Sequence, residues 1–506
     1  MYRQKKILSL LQKVEVLEDL ALDAEMENKS LLMNIHPSNI ASARNLLHYL
    51  AIRSQDIRSL QKDLSALAIS SISHSESYSL SNLRKIEYLL SALASVSPKN
   101  KNKSSANYKE SENLLNINSK DLLGKVSFHG QTKIMVTLPA EAAEDYEMVY
   151  KLVKTGMHIA RINTAHDDPG AWEKMIVNVK KAAKATGSEV KIYMDLEGPK
   201  IRTGEIKLKK HTKNKPKSIV LYKGSNITLT KANIKGHGGG HPEISLTSTE
   251  VFGHVKSNER VWFDDGKLGG IVLSADDENI IIEIEQAPEE GFKLKAKKGV
   301  NFPDSNLDIP ALTKDDLGHL KFIARHANMV GYSFVQKPED VNALQKHLKR
   351  LKREDMGIIL KIETRMAFEN FPSLLFAGMQ SRHCGVMIAR GDLAVEIGYL
   401  RIAEVQEEIL WLAEAAHMPV IWATQVLETQ VKEGTATRAE ISDVVKAVRA
   451  ECVMLNKGPH IFEAIETVID IDRRMAAHED KKRKILRSLH VAKAFLEARK
   501  AKSEEA

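Results

Sequence analysis

Charged side chains stand at the ends of several short apolar runs. Arg161 opens Arg161-Ile162-Asn163-Thr164-Ala165-His166, and Asp195 opens Asp195-Leu196-Glu197-Gly198-Pro199-Lys200-Ile201-Arg202. Further on come Lys361-Ile362-Glu363, Ala389-Arg390-Gly391-Asp392 and Ala423-Thr424-Gln425. Brought to one place, these supply the cations Arg161, Arg202 and Lys361 and the acids Asp195, Glu363 and Asp392. Buried charge without a partner is costly, so they must pair with each other or with ligands. One reading is an ion-pair network that fills a cavity. The other is phosphoryl chemistry. Glu363 and Asp392 make a hard oxygen pair suited to Mg2+, which keeps waters and borrows ligands from substrate. Guanidinium groups grip phosphate in bidentate fashion, and an ammonium such as Lys361 can follow a moving phosphoryl group as a point charge. Such transfer needs mostly positioning and charge neutralisation. Gly391-Asp392 is expected to open a short helix with N–H groups aimed at an anion.

The elements that must position these groups follow from the pattern. The apolar runs are Ile134–Leu138, Ile159–Ile162, Val190–Met194, Met329–Val335, Ile358–Ile362, Gly385–Ala389, Pro419–Ala423 and Cys452–Leu455. Amphipathic stretches such as Trp172–Thr186 and Glu339–Leu351 lie between most of them. Strand–helix alternation with continuous apolar strands implies a parallel sheet buried on both faces. Eight units predict a (β/α)8 barrel, an α/β TIM fold, with catalytic groups just past the strand ends. A doubly wound open sheet is the alternative on pattern alone. The rhythm breaks between Gly204 and Phe302, where strand-like stretches and turns predict an inserted β-rich lid domain after strand three. Within it, Gly236-His237-Gly238-Gly239-Gly240-His241 reads as a loop rather than a metal site. Ahead of the barrel, Ile7, Leu10, Leu11, Val14 and Leu17 recur at helical spacing. The expected division is a helical domain over 1–95, a linker over 96–125, barrel over 126–203, lid over 204–302, barrel again over 303–475, and a charged C-terminal helix or tail over 476–506. The helical domain reads as a packing or oligomerisation module, and a homo-oligomer is expected.

Composition narrows the classes. Hydrophobic residues at 43% and charged residues at 28% exclude a mainly disordered or fibrous chain. No apolar run approaches the roughly 18 residues of a membrane span. The basic start Met1-Tyr2-Arg3-Gln4-Lys5-Lys6 is not followed by a signal-peptide core, because Gln12, Lys13 and Glu15 interrupt it. Two cysteines, Cys384 and Cys452, exclude a disulfide scaffold and fit a reducing, cytoplasmic compartment. The net charge of +8 suits small anions as well as nucleic acid. Nucleic-acid binding has nothing else behind it.

The order, spacing and identity of these segments resemble the pyruvate kinase family. The resemblance runs from Lys133 to Arg474 through Thr132-Lys133-Ile134, Gly198-Pro199, Ile201-Arg202-Thr203-Gly204, Asp264-Asp265-Gly266, Lys297-Lys298-Gly299-Val300-Asn301, Asp308-Ile309-Pro310-Ala311, Ser333-Phe334, Lys361-Ile362-Glu363, Ala389-Arg390-Gly391-Asp392-Leu393 and Thr437-Arg438-Ala439-Glu440. It implies a barrel with a lid after strand three, and transfer of a phosphoryl group from phosphoenolpyruvate to ADP. By that likeness Glu363 and Asp392 hold Mg2+ and the enolpyruvate, and Lys361 stabilises the group in flight. Arg161, with Ala389 and the Gly391 and Asp392 backbone, cradles the phosphate. Arg202 and Lys298 contact nucleotide phosphates beside Asn163 and His166. Thr424 assists enolate protonation. Ala165, Leu196 and Lys200 depart from the family's usual serine, threonine and glutamate, and resemble its K+-independent branch. Asn456-Lys457-Gly458-Pro459 replaces a Ser-Gly-Glu-Thr segment used in proton delivery. The family's C-terminal regulatory domain has no counterpart after Arg474, so fructose bisphosphate activation is not expected. The alternative function is a pseudoenzyme or nucleotide-sensing scaffold acting through the helical domain.

Overall fold

The computed structural model describes residues 2–69, 72–99, 107–126, 131–207, 217–231, 241–307, 309–476, 478–480 and 483–484. At its centre, eight parallel strands close into a barrel. In chain order they are β1 (Lys133–Thr137), β2 (Ile159–Asn163), β3 (Lys191–Asp195), β4 (Met329–Tyr332), β5 (Gly357–Ile362), β6 (Cys384–Ala389), β7 (Val420–Ala423) and β8 (Cys452–Leu455). Each pairs in parallel with its neighbours in sequence, and β1 closes the ring on β8 with Lys133 opposite Cys452. All eight predicted runs are strands, and the open-sheet alternative is excluded by closure.

Two kinds of core follow from the pleat. Alternate residues face the barrel axis or the surrounding helices. Met135, Ile159, Tyr193, Met329, Ile359, Met387, Ile421 and Met454 fill the interior. Ile134, Val136, Ala160, Val330, Ile358, Val386 and Val453 point outward and pack with helix residues such as Trp172, Leu344 and Ile465. The helices start where the chemistry allows. Asp168 caps Pro169–Thr186 by accepting from the Gly170 and Ala171 amides, and Thr313 with Asp316 forms a capping box for Lys314–His326.

The lid is all β, as expected. Seven strands form one sheet in the order Val300–Asn301, Arg260–Phe263, Leu268–Ala275, Asn279–Gln286, Asn226–Thr230, Glu243–Leu246 and Thr203–Lys207. Ser218–Leu221 and Phe292–Lys295 pair separately. Ile227, Leu229, Ile244, Val261, Phe263, Val272, Ile280 and Ile282 make its own core. Of the Gly236–His241 loop, only His241 lies within the described residues.

The N-terminal region is helical, over Tyr2–Glu27, Ile40–Arg53, Arg58–Ala66 and Ser79–Ala94. Leu10, Val14, Leu64, Leu83, Ile86 and Leu90 close its core. It is fastened to the barrel by Asn45 Nδ2 on the Ala415 carbonyl at 2.8 Å, and by the buried His417, which meets Ser42 Oγ at 3.0 Å and the Ser77 carbonyl at 2.8 Å.

Two expectations are corrected. The segment 96–125 is not a plain linker, because Tyr108–Leu123 is a helix started by a capping box of Asn107 and Glu110. Its polar composition hides an apolar end: Leu122 and Leu123 are buried in the interior core and plug the barrel opposite the catalytic rim. The missing side chains of Gly357 and Gly385 make room for Leu122. The charged tail is not helical where it is described. Glu479–Asp480 and Arg483–Lys484 pair as two short antiparallel strands, and the rest of 476–506 beyond residue 484 lies outside the described residues. Among the described residues no helix is long and apolar enough to cross a membrane.

Candidate active site

Strand ends bring the predicted charges to one rim, but they divide into distinct pairings. The deepest group is built on β2, β3 and β5. Asp195, 1% exposed, accepts from Arg161 Nε at 2.7 Å and lies 2.6 Å from its Nη2. Its other oxygen takes the Tyr193 phenol and stands 3.5 Å from Lys361 Nζ. Gly331 on β4 permits this, since a Cβ there would collide with the Tyr193 phenol and the Asp195 carboxylate. Arg161 Nη1 donates to Thr137 Oγ1 at 2.8 Å. Lys361 Nζ also meets Glu363 Oε1 at 3.2 Å and Ser333 Oγ at 2.7 Å, and that serine donates to the Leu196 carbonyl at 2.6 Å.

The electrostatics follow from burial against neighbours. Burial would raise the Asp195 carboxyl, but the Lys361 and Arg161 charges outweigh it and hold it below the ordinary range. Burial would likewise discharge Lys361, and Asp195 and Glu363 hold its pKa above the usual value instead. Glu363 differs. Burial pushes its carboxyl up, Lys361 offsets this only in part, and the Asp392 charge adds to the rise. Its Oε2 accepts from the Phe334 amide at 2.7 Å.

Asp392 sits near Glu363 but is held by a different cation. Lys200 Nζ lies 2.7 Å from Asp392 Oδ1 and 4.0 Å from Asp265. Burial would lower the Lys200 ammonium, but the charge and hydrogen bond of Asp392, with Asp265 and Glu363 adding to them, together raise it. Two carboxylates in mutual repulsion, each leaning on a lysine, fit a divalent cation as a donor set. Among the described residues no group of three or more His, Cys, Asp or Glu is placed to hold a metal ion by itself. A hard cation here must therefore complete its shell with water or substrate oxygens.

The helix Arg390–Ile397 starts at Ala389, the last residue of β6, as predicted. The Gly391 amide is not free, however. It donates to Thr424 Oγ1 at 2.8 Å. Thr424 and Gln425 are left-handed, at φ 63° and 55°. Their loop is pinned by Arg390, which grips Asp443 through two bonds of 2.7 and 2.9 Å and donates to the Thr424 carbonyl at 2.6 Å. The Trp422 ring lies 4.8 Å from its guanidinium carbon.

The remaining predicted residues lie outside these groups. Arg202 Nη2 pairs with Glu197 at 3.3 Å, and Lys298 Nζ with Asp264 at 2.9 Å on the lid. Asn163 and His166 share the turn after β2, where the Ala165 amide donates to Asn163 Oδ1 at 3.1 Å and His166 is exposed. The sequence reading passed over Thr137, Tyr193 and Arg390. Thr137 and Tyr193 sit inside apolar runs, where a hydroxyl reads as a tolerated strand residue. Arg390 directly precedes Gly391-Asp392, and its partner is 53 positions away.

Comparisons with known proteins point to one family. A family model described as pyruvate kinase, barrel domain, matches residues 129–459. The pyruvate kinase of Staphylococcus saprophyticus is 32% identical over 363 residues, covering 70% of this chain and 58% of that protein. That of Thermotoga maritima is 30% identical over 365 residues, covering 71% of this chain and 73% of its own length. The Corynebacterium glutamicum protein is 33% identical over 340 residues, with 65% and 67% covered. The family model spans more than half of the chain, and the chain belongs to the pyruvate kinase family.

Proposed function

We propose that this chain moves the phosphoryl group of phosphoenolpyruvate to ADP, yielding pyruvate and ATP, with Mg2+ and without a need for K+. The observation that carries the reading is the buried Arg161–Asp195–Lys361–Glu363 cluster at the strand ends, with Asp392 beside it. Arg161 is oriented by Asp195 and Thr137. A guanidinium has five N–H donors, so donors remain for the phosphate of the substrate. Lys361 is kept charged by Asp195 and Glu363, and neutralises the group as it passes. Arg202 and Lys298, beside Asn163 and His166, take the nucleotide phosphates. Glu363 and Asp392 would hold Mg2+, which supplies positive charge to the substrate oxygens when bound.

The balance is simple. The bond from phosphorus to the enol oxygen breaks, and a bond to the terminal ADP oxygen forms. The enolate collapses to a ketone as its methylene carbon takes a proton. Thr424, whose hydroxyl accepts from the Gly391 amide and which follows Ala423 opposite Ala389, assists that protonation. Asn456 follows β8, and an amide cannot pass a proton as a hydroxyl can. Water therefore delivers the proton with Thr424 in attendance.

Independence from K+ rests on three features. Ala165 and Leu196 offer no side-chain oxygen. Both Asp195 oxygens are engaged by Arg161, Tyr193 and Lys361. Lys200 brings a fixed positive charge to Asp392. A cytoplasmic setting is supported by Cys384 and Cys452, both free thiols and both buried. Homo-oligomerisation remains part of the proposal. The test is a coupled assay for pyruvate with ADP or Mg2+ omitted in turn. Pyruvate only in the complete mixture supports the reading. Nucleotide binding without turnover would favour the scaffold alternative.

A further inference from the structure

The helix that carries Asp392 meets the lid at more than the catalytic pair. Asp392 and Glu396 are one helical turn apart and share a face. Tyr399 follows directly on Gly398, where the helix stops. Each reaches a different lid segment. Asp392 takes Lys200 at the chain's entry into the lid, and Glu396 Oε1 accepts from Asn301 Nδ2 at 2.9 Å at the exit. Tyr399 donates its phenol proton to the Asp265 carbonyl at 2.8 Å, at the turn between Arg260–Phe263 and Leu268–Ala275.

That turn is shaped around the phenol. Asp264, Asp265 and Gly266 are left-handed in succession, at φ 50°, 56° and 82°. Backbone held in this region by non-glycine residues is strained and persists only where its surroundings fix it. A Cβ on Gly266 would lie 2.5 Å from the Tyr399 oxygen, so the close approach needs glycine. The same turn controls a cation. Asp264 holds Lys298 at 2.9 Å and Lys267 at 3.5 Å.

We infer that Tyr399 is a positioning residue for the nucleotide: by tethering the Asp264–Gly266 turn to the barrel it sets the lid's posture and fixes Lys298 over the mouth. The inference rests on the nucleotide reading of Lys298 given above. Tyr399 touches no reacting atom, and its phenol is bonded to the Asp265 carbonyl rather than to Arg161, Lys361, Glu363 or Asp392. Its loss should therefore be felt by ADP and not by the other substrate.

The experiment compares wild type, Tyr399→Phe, Gly266→Ala and the double variant Tyr399→Ala/Gly266→Ala. ADP binding in the presence of Mg2+ is measured by calorimetry, KM for each substrate by steady-state turnover, and thermal stability by melting. Loss of this solvent-exposed hydrogen bond predicts an increase of about two- to five-fold in Kd and KM for ADP in Tyr399→Phe. KM for phosphoenolpyruvate and the melting temperature should stay put, which a merely structural role would not give. Gly266→Ala should weaken ADP similarly by pushing the phenol aside. The double variant should bind ADP no worse than Gly266→Ala, because the clash has lost its partner while the left-handed strain at φ 82° is common to both. Unchanged ADP affinity in Tyr399→Phe, or an equal rise in both KM values, would overturn the tether. Wild type that fails to bind ADP at all would overturn the functional reading, and the tether's role with it.

Discussion

Replacing Glu396 by glutamine should make the protein more stable, and only at higher pH. Glu396 lies between the Asp392 helix and the lid, where burial pushes its carboxyl up to about 7 from a model-peptide value of 4.5. The Asn301 bond works against this, and the Asp392 charge adds to it. The folded protein therefore keeps the proton longer than the unfolded chain. Stability from the neutral acid is fully present below about pH 4.5 and is lost as pH rises through about 7. The difference of roughly 2.5 units, at about 1.4 kcal/mol each, sets an upper bound on the order of 3 kcal/mol. Glu396 also lines a cleft with Asn301, Arg365 and Glu369, and water reaching that cleft reduces the effect to about 1–2 kcal/mol. Glutamine mimics the neutral acid and keeps an oxygen for Asn301. Urea unfolding of both proteins between pH 4 and pH 8, with divalent cations chelated, reads the difference directly. The curves should converge toward about pH 4 and separate by about 1–2 kcal/mol at pH 8. Parallel curves would refute the burial argument. So would a wild type that gains on the variant as pH rises.

Three other perturbations have definite outcomes. Lys361→Met should lower ATP formation at least about 100-fold while slowing proton exchange at the enolpyruvate carbon far less; equal loss of both would remove Lys361 from the phosphoryl step. KCl should leave turnover where a matched choline chloride control leaves it, and a large rise with KCl would contradict the role given to Lys200. Leu122→Ala should cost about 2–4 kcal/mol in urea unfolding, since it opens a cavity at the barrel's plugged end; a loss near zero would mean that the Tyr108–Leu123 helix does not seal it.

The barrel was legible because its signal is redundant. Each strand is a continuous apolar run ended by a polar residue, and eight repeats leave little choice of architecture. Lid strands such as Glu243–Leu246 and Phe292–Lys295 were harder to see. They are short and half exposed, and they alternate too briefly to stand out from turns. The Tyr108–Leu123 helix was hidden by its Lys/Asn/Ser composition, because only its last turn carries the buried leucines. In the site, residue types at strand ends announced Arg161, Asp195, Lys361, Glu363 and Asp392. Their partners could not be read the same way. Lys200 reaches Asp392 across 192 positions, and Tyr399 reaches Asp265 across 134. Pairings of that kind are set by closure of the barrel and by the lid's seat upon it.

The central claim is that this mouth passes a phosphoryl group between two anions. Single-turnover quench with phosphoenolpyruvate carrying a radioactive phosphorus tests it most directly. Enzyme in excess is mixed with the labelled substrate, ADP and Mg2+, and the products are separated over time. Label should move into the terminal phosphate of ATP as pyruvate appears in equal amount. Label released as inorganic phosphate, or retained in phosphoenolpyruvate while ADP is bound, would contradict the account.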